Sequence, residues 1–230
     1  MDGMNDAIIV GGGPVGLMLA LELSLAGADP LVLERFETVD PTIKAGSLNA
    51  RAADALRRRG VAFAGDAPGA TAPLGPRSPR RPSASQPEPA PFTPPRFAGH
   101  VAGMTLRPDL VRWDELGRSS DSALVAQQQV QAVLRERLAE RGVEVRQGVT
   151  VTGVTPHADR VVVHSDAGDL EALWVVGADG GRSTVRKSAG FDFPGLDGVM
   201  TGYQALVAGD GLDDVPLGWH LTPTGVFRRM

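Results

Sequence analysis

Three glycines close to the N-terminus have the spacing of a phosphate-binding turn, Gly11-x-Gly13-x-x-Gly16. The first glycine allows a tight turn, the second lets backbone N–H groups approach a pyrophosphate, and the third lets a helix pack closely on a strand. A helix that begins at such a turn adds roughly half a positive charge opposite the phosphates. The spacing therefore predicts a site for the pyrophosphate of a dinucleotide.

An acidic residue, Glu34, follows Gly16 by 18 residues and ends the next apolar run. A carboxylate in this position accepts hydrogen bonds from the hydroxyls of an adenosine ribose. It would repel a 2′-phosphate, so the tightly held nucleotide is expected to be FAD or NAD and not NADP. For the next residue, Arg35, two interpretations stay open: it stacks on adenine or pairs with a phosphate, or it is solvated surface.

The elements that must position these residues are those of a βαβ unit. Apolar runs at residues 7–10 and 31–33 predict two buried parallel strands. Residues 14–26 have helical character between them; Pro14 suits the first helical turn and Gly27 is placed to cap the end. Strand, glycine turn, helix, strand and acid in this order predict a Rossmann-type adenosine-binding unit far more strongly than the glycines alone.

The rest of the pattern predicts an α/β fold with further helices and a β-meander. Predicted helices cover residues 49–59 and 127–141, and the second places Val130, Val133, Leu134 and Leu138 on one face. Predicted strands cover residues 143–146, 149–154, 160–164 and 170–176, the last two joined by a hairpin turn at 165–168. Short strand-like pieces follow at 203–207 and 219–221.

Residues 68–95 differ in composition from the rest of the chain, with ten prolines mixed with Ser, Ala and Arg. Such a composition does not pack a core or hold a helix. We expect a disordered or partly extended surface insertion, and a proline-rich ligand for a partner domain is the alternative.

Composition excludes several classes of function. The chain has no cysteine, which excludes disulfides, thiolate metal sites and a cysteine nucleophile. Its net charge of -4 gives no basic field for nucleic acid. An apolar run of membrane-spanning length and a basic N-terminal leader are absent from the sequence, so we expect no membrane partner and a cytoplasmic location. The four histidines have no metal-ligand spacing, and no metal site is predicted.

A second glycine-rich segment, Gly177-Ala178-Asp179-Gly180-Gly181-Arg182-Ser183, closes a predicted strand and opens a helix. Together with residues 8–17, 33–35, 44–51 and 127–134, it makes the chain resemble the para-hydroxybenzoate hydroxylase-like, group A, flavoprotein monooxygenases. The resemblance is nearest to the branch that hydroxylates aromatic polyketides and to rifampicin monooxygenase. It implies a Rossmann-like FAD-binding domain, a parallel sheet with helices and a β-meander, followed by the start of a β-rich substrate domain.

The resemblance also implies roles for particular residues. Asp179 and Gly180 match a pair that lies near the FAD pyrophosphate and ribityl chain and is linked to NADPH use. Gln127 would reach the flavin phosphate or ribityl region, and Lys44 and Arg51 would offset the charge of the pyrophosphate. The alternatives are an exposed glutamine at a helix start and two solvated cations. The predicted cofactor site thus comprises these residues and those of the first unit: Gly11, Gly13, Pro14, Val15, Gly16, Glu34 and Arg35.

The domain plan implied in this way has four parts: a βαβ unit at 1–66, the proline-rich insertion at 67–96, the remainder of the FAD-binding domain at 97–190, and the beginning of the substrate domain at 191–230. Members of the family are about twice as long by resemblance, so we expect an incomplete form. The open sheet edge and apolar surface of such a form favour self-association.

The resemblance implies a reaction in which NADPH or NADH reduces bound FAD and a flavin hydroperoxide transfers one oxygen of O2 to a small phenolic or polyketide substrate. The oxygen chemistry belongs to the cofactor, and no catalytic side chain is assigned. Two other classes stay open: another FAD- or NAD-dependent oxidoreductase or halogenase with the same N-terminal unit, and a non-catalytic nucleotide-binding remnant.

Overall fold

The computed structural model describes residues 4–40, 44–61, 100–101, 104–105, 110, 123–196, 198, 201–203, 205, 207–215 and 218–229. The proline-rich segment at 68–95 lies outside these residues, and the expectation for it stays a prediction. The chain divides into two compact units, residues 1–193 and residues 194–230. Each is described by itself.

The described helices are α1 (Pro14–Leu25), α2 (Ala50–Arg58), α3 (Gln127–Glu140) and α4 (Thr184–Ser188). The described strands are β1 (Asn5–Val10), β2 (Pro30–Glu34), β3 (Ser47–Leu48), β4 (His100–Val101), β5 (Met104–Thr105), β6 (Ala123–Leu124), β7 (Val145–Gln147), β8 (Val151–Pro156), β9 (Val161–Ser165), β10 (Leu170–Gly177), β11 (Gly218–Thr222) and β12 (Gly225–Arg229). A 3-10 helix spans Leu212–Asp214.

Six strands of the N-terminal unit form one sheet in the order β7-β2-β1-β10-β9-β8. The first four are parallel to one another, and β9 and β8 continue the sheet antiparallel to β10 as a meander. The predicted combination of a parallel sheet, helices and a β-meander is confirmed. Short pairs β3–β6 and β4–β5 lie outside this sheet.

The central strand β1 is buried on both faces, as its unbroken apolar run predicts. On one face, Ile9 packs with Leu17 of α1 and Leu134 of α3 in a cluster of fully buried side chains. On the other, Ile8 packs in a second cluster with Val163 of the meander. Burial of each such side chain contributes roughly 1.5–3 kcal/mol, so the two clusters fix β1, and the turn that follows it, between two packed layers.

Helices α1 and α3 lie side by side and run in the same direction. Arg141, at the end of α3, donates from Nε to Ser24 Oγ over 2.6 Å and from Nη2 to Ser24 O over 2.7 Å. Ser24 is in the last turn of α1, so the C-terminal ends of the two helices are joined. Each helix leads into a parallel strand, and both N-termini therefore lie toward the carboxyl edge of the sheet.

The C-terminal unit contains the hairpin of β11 and β12, in which the rings of His220 and Phe227 stack at 4.8 Å. The prediction of a strand at 219–221 is confirmed. The prediction at 203–207 is wrong for its described residues: Tyr203 and Val207 belong to no strand and are 95% and 63% exposed. A strand-like segment forms a strand only when a neighbouring strand pairs with its backbone N–H and C=O groups.

Candidate nucleotide-binding site

The candidate site lies at the carboxyl ends of three adjacent parallel strands, β2, β1 and β10. Gly11 N–H donates to Leu33 O, and Ala178 N–H donates to Val10 O, each over 2.8 Å. The glycine turn after β1 is thereby joined on one side to the end of β2 and on the other to the segment after β10. Ligands of open α/β sheets bind at this edge.

Two glycines of the motif are required by close contacts inside the protein. Gly11 has φ +113°, and a β-carbon there would lie 2.4 Å from Ala178 O. A β-carbon on Gly16 would lie 2.0 Å from Gly11 O. Gly16 is thus the residue that allows α1 to approach the turn, as the motif predicts, whereas the contact of Gly11 with the β10 segment adds a constraint that the sequence pattern does not reveal.

Gly13 faces open space, and a β-carbon there would meet no atom within 4 Å. It is the N-cap of α1, and the first bond inside that helix runs from Leu17 N–H to Gly13 O. The N–H groups of Gly13, Val15 and Gly16 therefore precede the helical ladder, and Pro14 at the first position has none to satisfy. The Val15 side chain, 74% exposed, lies beside them. Donors with open space before them are what a pyrophosphate requires.

Glu34 is held in place by the turn it faces. Gly12 N–H donates to Glu34 Oε2 over 2.6 Å, and Phe36 N–H donates to Oε1 over 3.0 Å. Each carboxylate oxygen can accept a further bond, which leaves acceptors for ribose hydroxyls. A β-carbon on Gly12 would lie 2.8 Å from Glu34 Cβ. Sequence reasoning missed this role of Gly12, for which the unbroken run of three glycines is the only signal.

The guanidinium carbon of Arg35 lies 4.5 Å from the ring centre of Phe36. Both residues are exposed. A contact between a cation and an exposed ring contributes about 0.5–1 kcal/mol. Both interpretations of Arg35 from the sequence, contact with adenine or a phosphate and solvated surface, stay predictions.

The two carboxylate oxygens of Asp179 have different roles: one accepts hydrogen bonds within the protein, and the other has no partner. Its Oδ2 accepts from Thr184 N–H over 2.6 Å and from Val185 N–H over 3.2 Å, which caps α4. Its Oδ1 is buried without a hydrogen-bond partner. Next to it, Gly180 has φ +81°, and a β-carbon there would meet no atom within 4 Å. An unsatisfied buried acceptor beside open backbone fits a ligand hydroxyl as donor.

The three remaining predicted residues come from the segments that precede α2 and α3. Lys44 forms an ion pair of 2.8 Å with Asp40 and is 55% exposed. Gln127 begins α3, and its N–H donates to Ala45 O over 3.2 Å, so the loop of Lys44 adjoins the start of α3. Arg51 is exposed in the first turn of α2 and lines a shallow groove of about 320 Å³ along that helix. Contact of these side chains with a cofactor stays a prediction.

Within the described part of the chain, no group of acidic or histidine side chains is arranged to hold a metal ion. The same residues include no helix that is long and apolar enough to cross a membrane. The site consists of backbone donors, two glycines that face open space, Gly13 and Gly180, and the carboxylates of Glu34 and Asp179, which have free acceptor capacity. These groups fit the ribose, pyrophosphate and polyhydroxyl chain of FAD.

A family model for an FAD binding domain matches residues 4–215. The chain belongs to this family. The matched range includes the six-stranded sheet, the glycine turn and the second glycine-rich segment. The family match confirms the resemblance to the group A flavoprotein monooxygenases that the sequence indicates.

Relatives include proteins with different reactions. The dialkyldecalin synthase of Streptomyces rugosporus is 35% identical over 84% of this chain and 36% of its own length. The rifampicin monooxygenase of Streptomyces venezuelae is 34% identical over 84% of this chain and 35% of its own. The solved structure of OxyS anhydrotetracycline hydroxylase from Streptomyces rimosus aligns with a TM-score of 0.65 and 34% identity, over 85% of this chain and 35% of that protein. The chain thus spans little more than a third of the length of these relatives.

Proposed function

We propose that this chain holds the FAD of an NAD(P)H-dependent aromatic monooxygenase. The observation that carries the proposal is the arrangement of Gly13 and Glu34, an open glycine before unused helix N–H groups and a fixed carboxylate, on a domain of the FAD-binding family. Glu34 would hold the adenosine ribose, and the turn at Gly13 would hold the pyrophosphate.

The residues of the chain bind and orient the cofactor, whereas FAD supplies the redox and oxygen-transfer chemistry when bound. Glu34 accepts hydrogen bonds from the ribose hydroxyls, and its charge disfavours a nucleotide with a 2′-phosphate. The N–H groups at the start of α1 donate to the phosphates. Asp179 Oδ1, which has no partner within the protein, would accept from a hydroxyl of the ribityl chain. Lys44, in the loop before β3, Arg51, in the first turn of α2, and Gln127, at the start of α3, would approach the same end of the cofactor.

The substrate belongs to the small aromatic class, and O2 and a transiently bound NADPH or NADH complete the reaction. Support comes from the relatives whose names give rifampicin and anhydrotetracycline as substrates. Residues 191–230 would begin the β-rich domain that covers the substrate, and the hairpin of β11 and β12 agrees with that plan. The same relatives support a place in antibiotic metabolism.

The test of this proposal is equilibrium binding followed by turnover. Purified chain is dialysed against FAD, NAD and NADP, and then mixed with NADPH or NADH, O2 and a panel of phenolic polyketides. We expect FAD to bind more tightly than NADP, and FAD-dependent oxidation of NAD(P)H to be detected. Tighter binding of NADP than of FAD would contradict the proposed site.

A second candidate is a protein that holds FAD but catalyses no oxygenation. It is favoured by the 35% identity to a dialkyldecalin synthase, whose name describes ring formation and no oxidation. The two candidates differ in isotope uptake. Incorporation of ¹⁸O from labelled O2 into a product supports the monooxygenase, whereas a cyclised product formed without consumption of O2 supports the second candidate.

A further inference from the structure

Arg186 lies in α4, just after the second glycine-rich segment, and has no role in the site described so far. We propose that Arg186 is a positioning residue, which together with Phe193 holds the Gly180–Gly181 turn in the conformation that receives the second half of the dinucleotide. This inference rests on the proposed function, that the chain binds FAD.

Contacts hold both the backbone and the guanidinium of Arg186. Its backbone N–H donates to Ser183 Oγ over 2.9 Å, and its Nη1 donates back to Gly181 O over 2.8 Å. Its guanidinium carbon lies 4.4 Å from the ring centre of Phe193. Phe193 is itself brought close because the chain folds back after α4, where Phe191 N–H donates to Arg186 O over 3.0 Å. The guanidinium is therefore held between a backbone carbonyl and an aromatic face.

The turn that Arg186 holds is next to the phosphate-binding turn. A β-carbon on Gly11 would collide with Ala178 O, so the two glycine segments are in direct contact. Glu34 and Ala178 flank Gly11 from opposite sides, through β2 and β10. A dinucleotide whose ribose lies at Glu34 and whose phosphates cross the turn at Gly13 thus extends toward Gly180 and Gly181. A β-carbon on either of these glycines would meet no atom within 4 Å, so the space in front of them is open.

No other contact described for this segment fixes the carbonyl of Gly181. Asp179 Oδ2 accepts from the N–H groups of Thr184 and Val185, and Ser183 N–H donates to Gly180 O. These bonds set the start of α4 and one side of the turn. Two glycines in succession are conformationally free, and the bond from Arg186 restricts the second of them.

The experiment compares FAD and ADP as probes for four variants of the full chain. ADP occupies only the adenosine and phosphate end, whereas FAD reaches the Gly180–Gly181 turn. R186Q is expected to weaken FAD binding about tenfold, as for loss of one hydrogen bond from a charged donor, and to leave ADP binding unchanged. R186K, which keeps a cationic donor, should recover most of the FAD affinity. F193L removes the aromatic face and should weaken FAD binding about threefold.

K187Q is the matched control, because it removes the same charge from the adjacent, exposed position. It should bind both probes like the wild type. Unchanged FAD affinity in R186Q and F193L would overturn the inference, as would an equal loss of FAD and ADP affinity. If R186Q unfolds, F193L and R186K decide the question by the same ratio of affinities. Failure of the wild type to bind FAD would instead overturn the proposed function.

Discussion

The carboxylate of Glu34 and the backbone of Gly12 constrain each other through a hydrogen bond and close packing. Gly12 N–H donates to Glu34 Oε2 over 2.6 Å, and a β-carbon on Gly12 would lie 2.8 Å from Glu34 Cβ and 3.1 Å from its Cγ. The acid proposed to bind the ribose is thus fixed by the middle glycine of the turn proposed to bind the phosphates. The two halves of the adenosine site form one unit, and a change on either side should affect both.

Substitution of Gly12 by alanine is expected to damage the folded protein itself. The new methyl group must displace the Glu34 side chain or shift the turn, and overpacking of this kind costs about 1–3 kcal/mol. Urea denaturation of the apo-protein should show a lower free energy of unfolding, and fluorescence titration should show weaker FAD binding. A G12A variant with wild-type stability and affinity would show that Glu34 does not occupy the described position.

Substitution of Gly13 by alanine is expected to affect the ligand and not the fold. Its backbone, with φ -74° and ψ 176°, is open to any residue, and the new methyl group meets no protein atom. The free energy of unfolding should change by less than about 0.5 kcal/mol, while the methyl group occupies space needed by the pyrophosphate. We expect FAD affinity to fall at least about tenfold. G13A is therefore the matched partner of G12A, and an unchanged FAD affinity would place the phosphates elsewhere.

Replacement of Glu34 tests both affinity and choice of nucleotide. E34A should weaken FAD binding by about 1.5–3 kcal/mol, the range for hydrogen bonds to a charged group. E34Q keeps the size of the side chain but removes its charge, so the ratio of NADP to NAD affinity should rise. Parallel dialysis against the three nucleotides measures these effects. An unaltered ratio in E34Q would mean that the carboxylate does not face the 2′ position.

Local sequence patterns predict most of the site's framework, because the constraints lie within a few residues. The turn at Gly11, the helix beginning at Pro14 and the strand ending at Glu34 depend on glycine freedom, capping and apolar runs, and the structure places each where the sequence does. Three glycines that terminate helices, Gly27, Gly60 and Gly142, all have left-handed φ. These helix termini were predictable for the same reason.

Contacts between residues far apart in the chain were not predictable. The role of Gly12 depends on Glu34, which lies 22 residues further along the chain. The hydrogen bond from Arg141 to Ser24 depends on α1 and α3, which contact each other only in the folded state. The erroneous strand at 203–207 has the same origin, because none of the described strands pairs with it.

A pH dependence follows from the ion pair that joins α1 to the end of α2. Arg59 Nε and Nη2 donate to the two carboxylate oxygens of Glu22 over 2.5 and 2.6 Å. These bonds hold the pKa of Glu22 below its usual value of 4.5. A lowered folded pKa means that the stabilisation is complete above the unfolded pKa and is lost as the pH falls through the folded value.

The free energy of unfolding of wild type and E22Q should therefore differ near neutral pH and converge as the pH falls below about 4.5. Because both side chains are partly exposed, salt should reduce the difference. D54N is the control: it removes a carboxylate that pairs with the exposed Arg58 within α2, and a single i,i+4 pair of this kind has little effect on stability. A constant difference between wild type and E22Q over the whole range would contradict a role for the ionised pair.

The most direct test of the central claim is a titration of the purified chain with FAD, followed by flavin absorption and fluorescence. We expect saturable binding of one FAD per chain, competition by ADP, and affinity reduced in G13A without loss of stability. Absence of saturable FAD binding by folded protein, or binding that G13A and E34A leave unchanged, would contradict the claim that this chain holds FAD at Glu34 and at the glycine turn before α1.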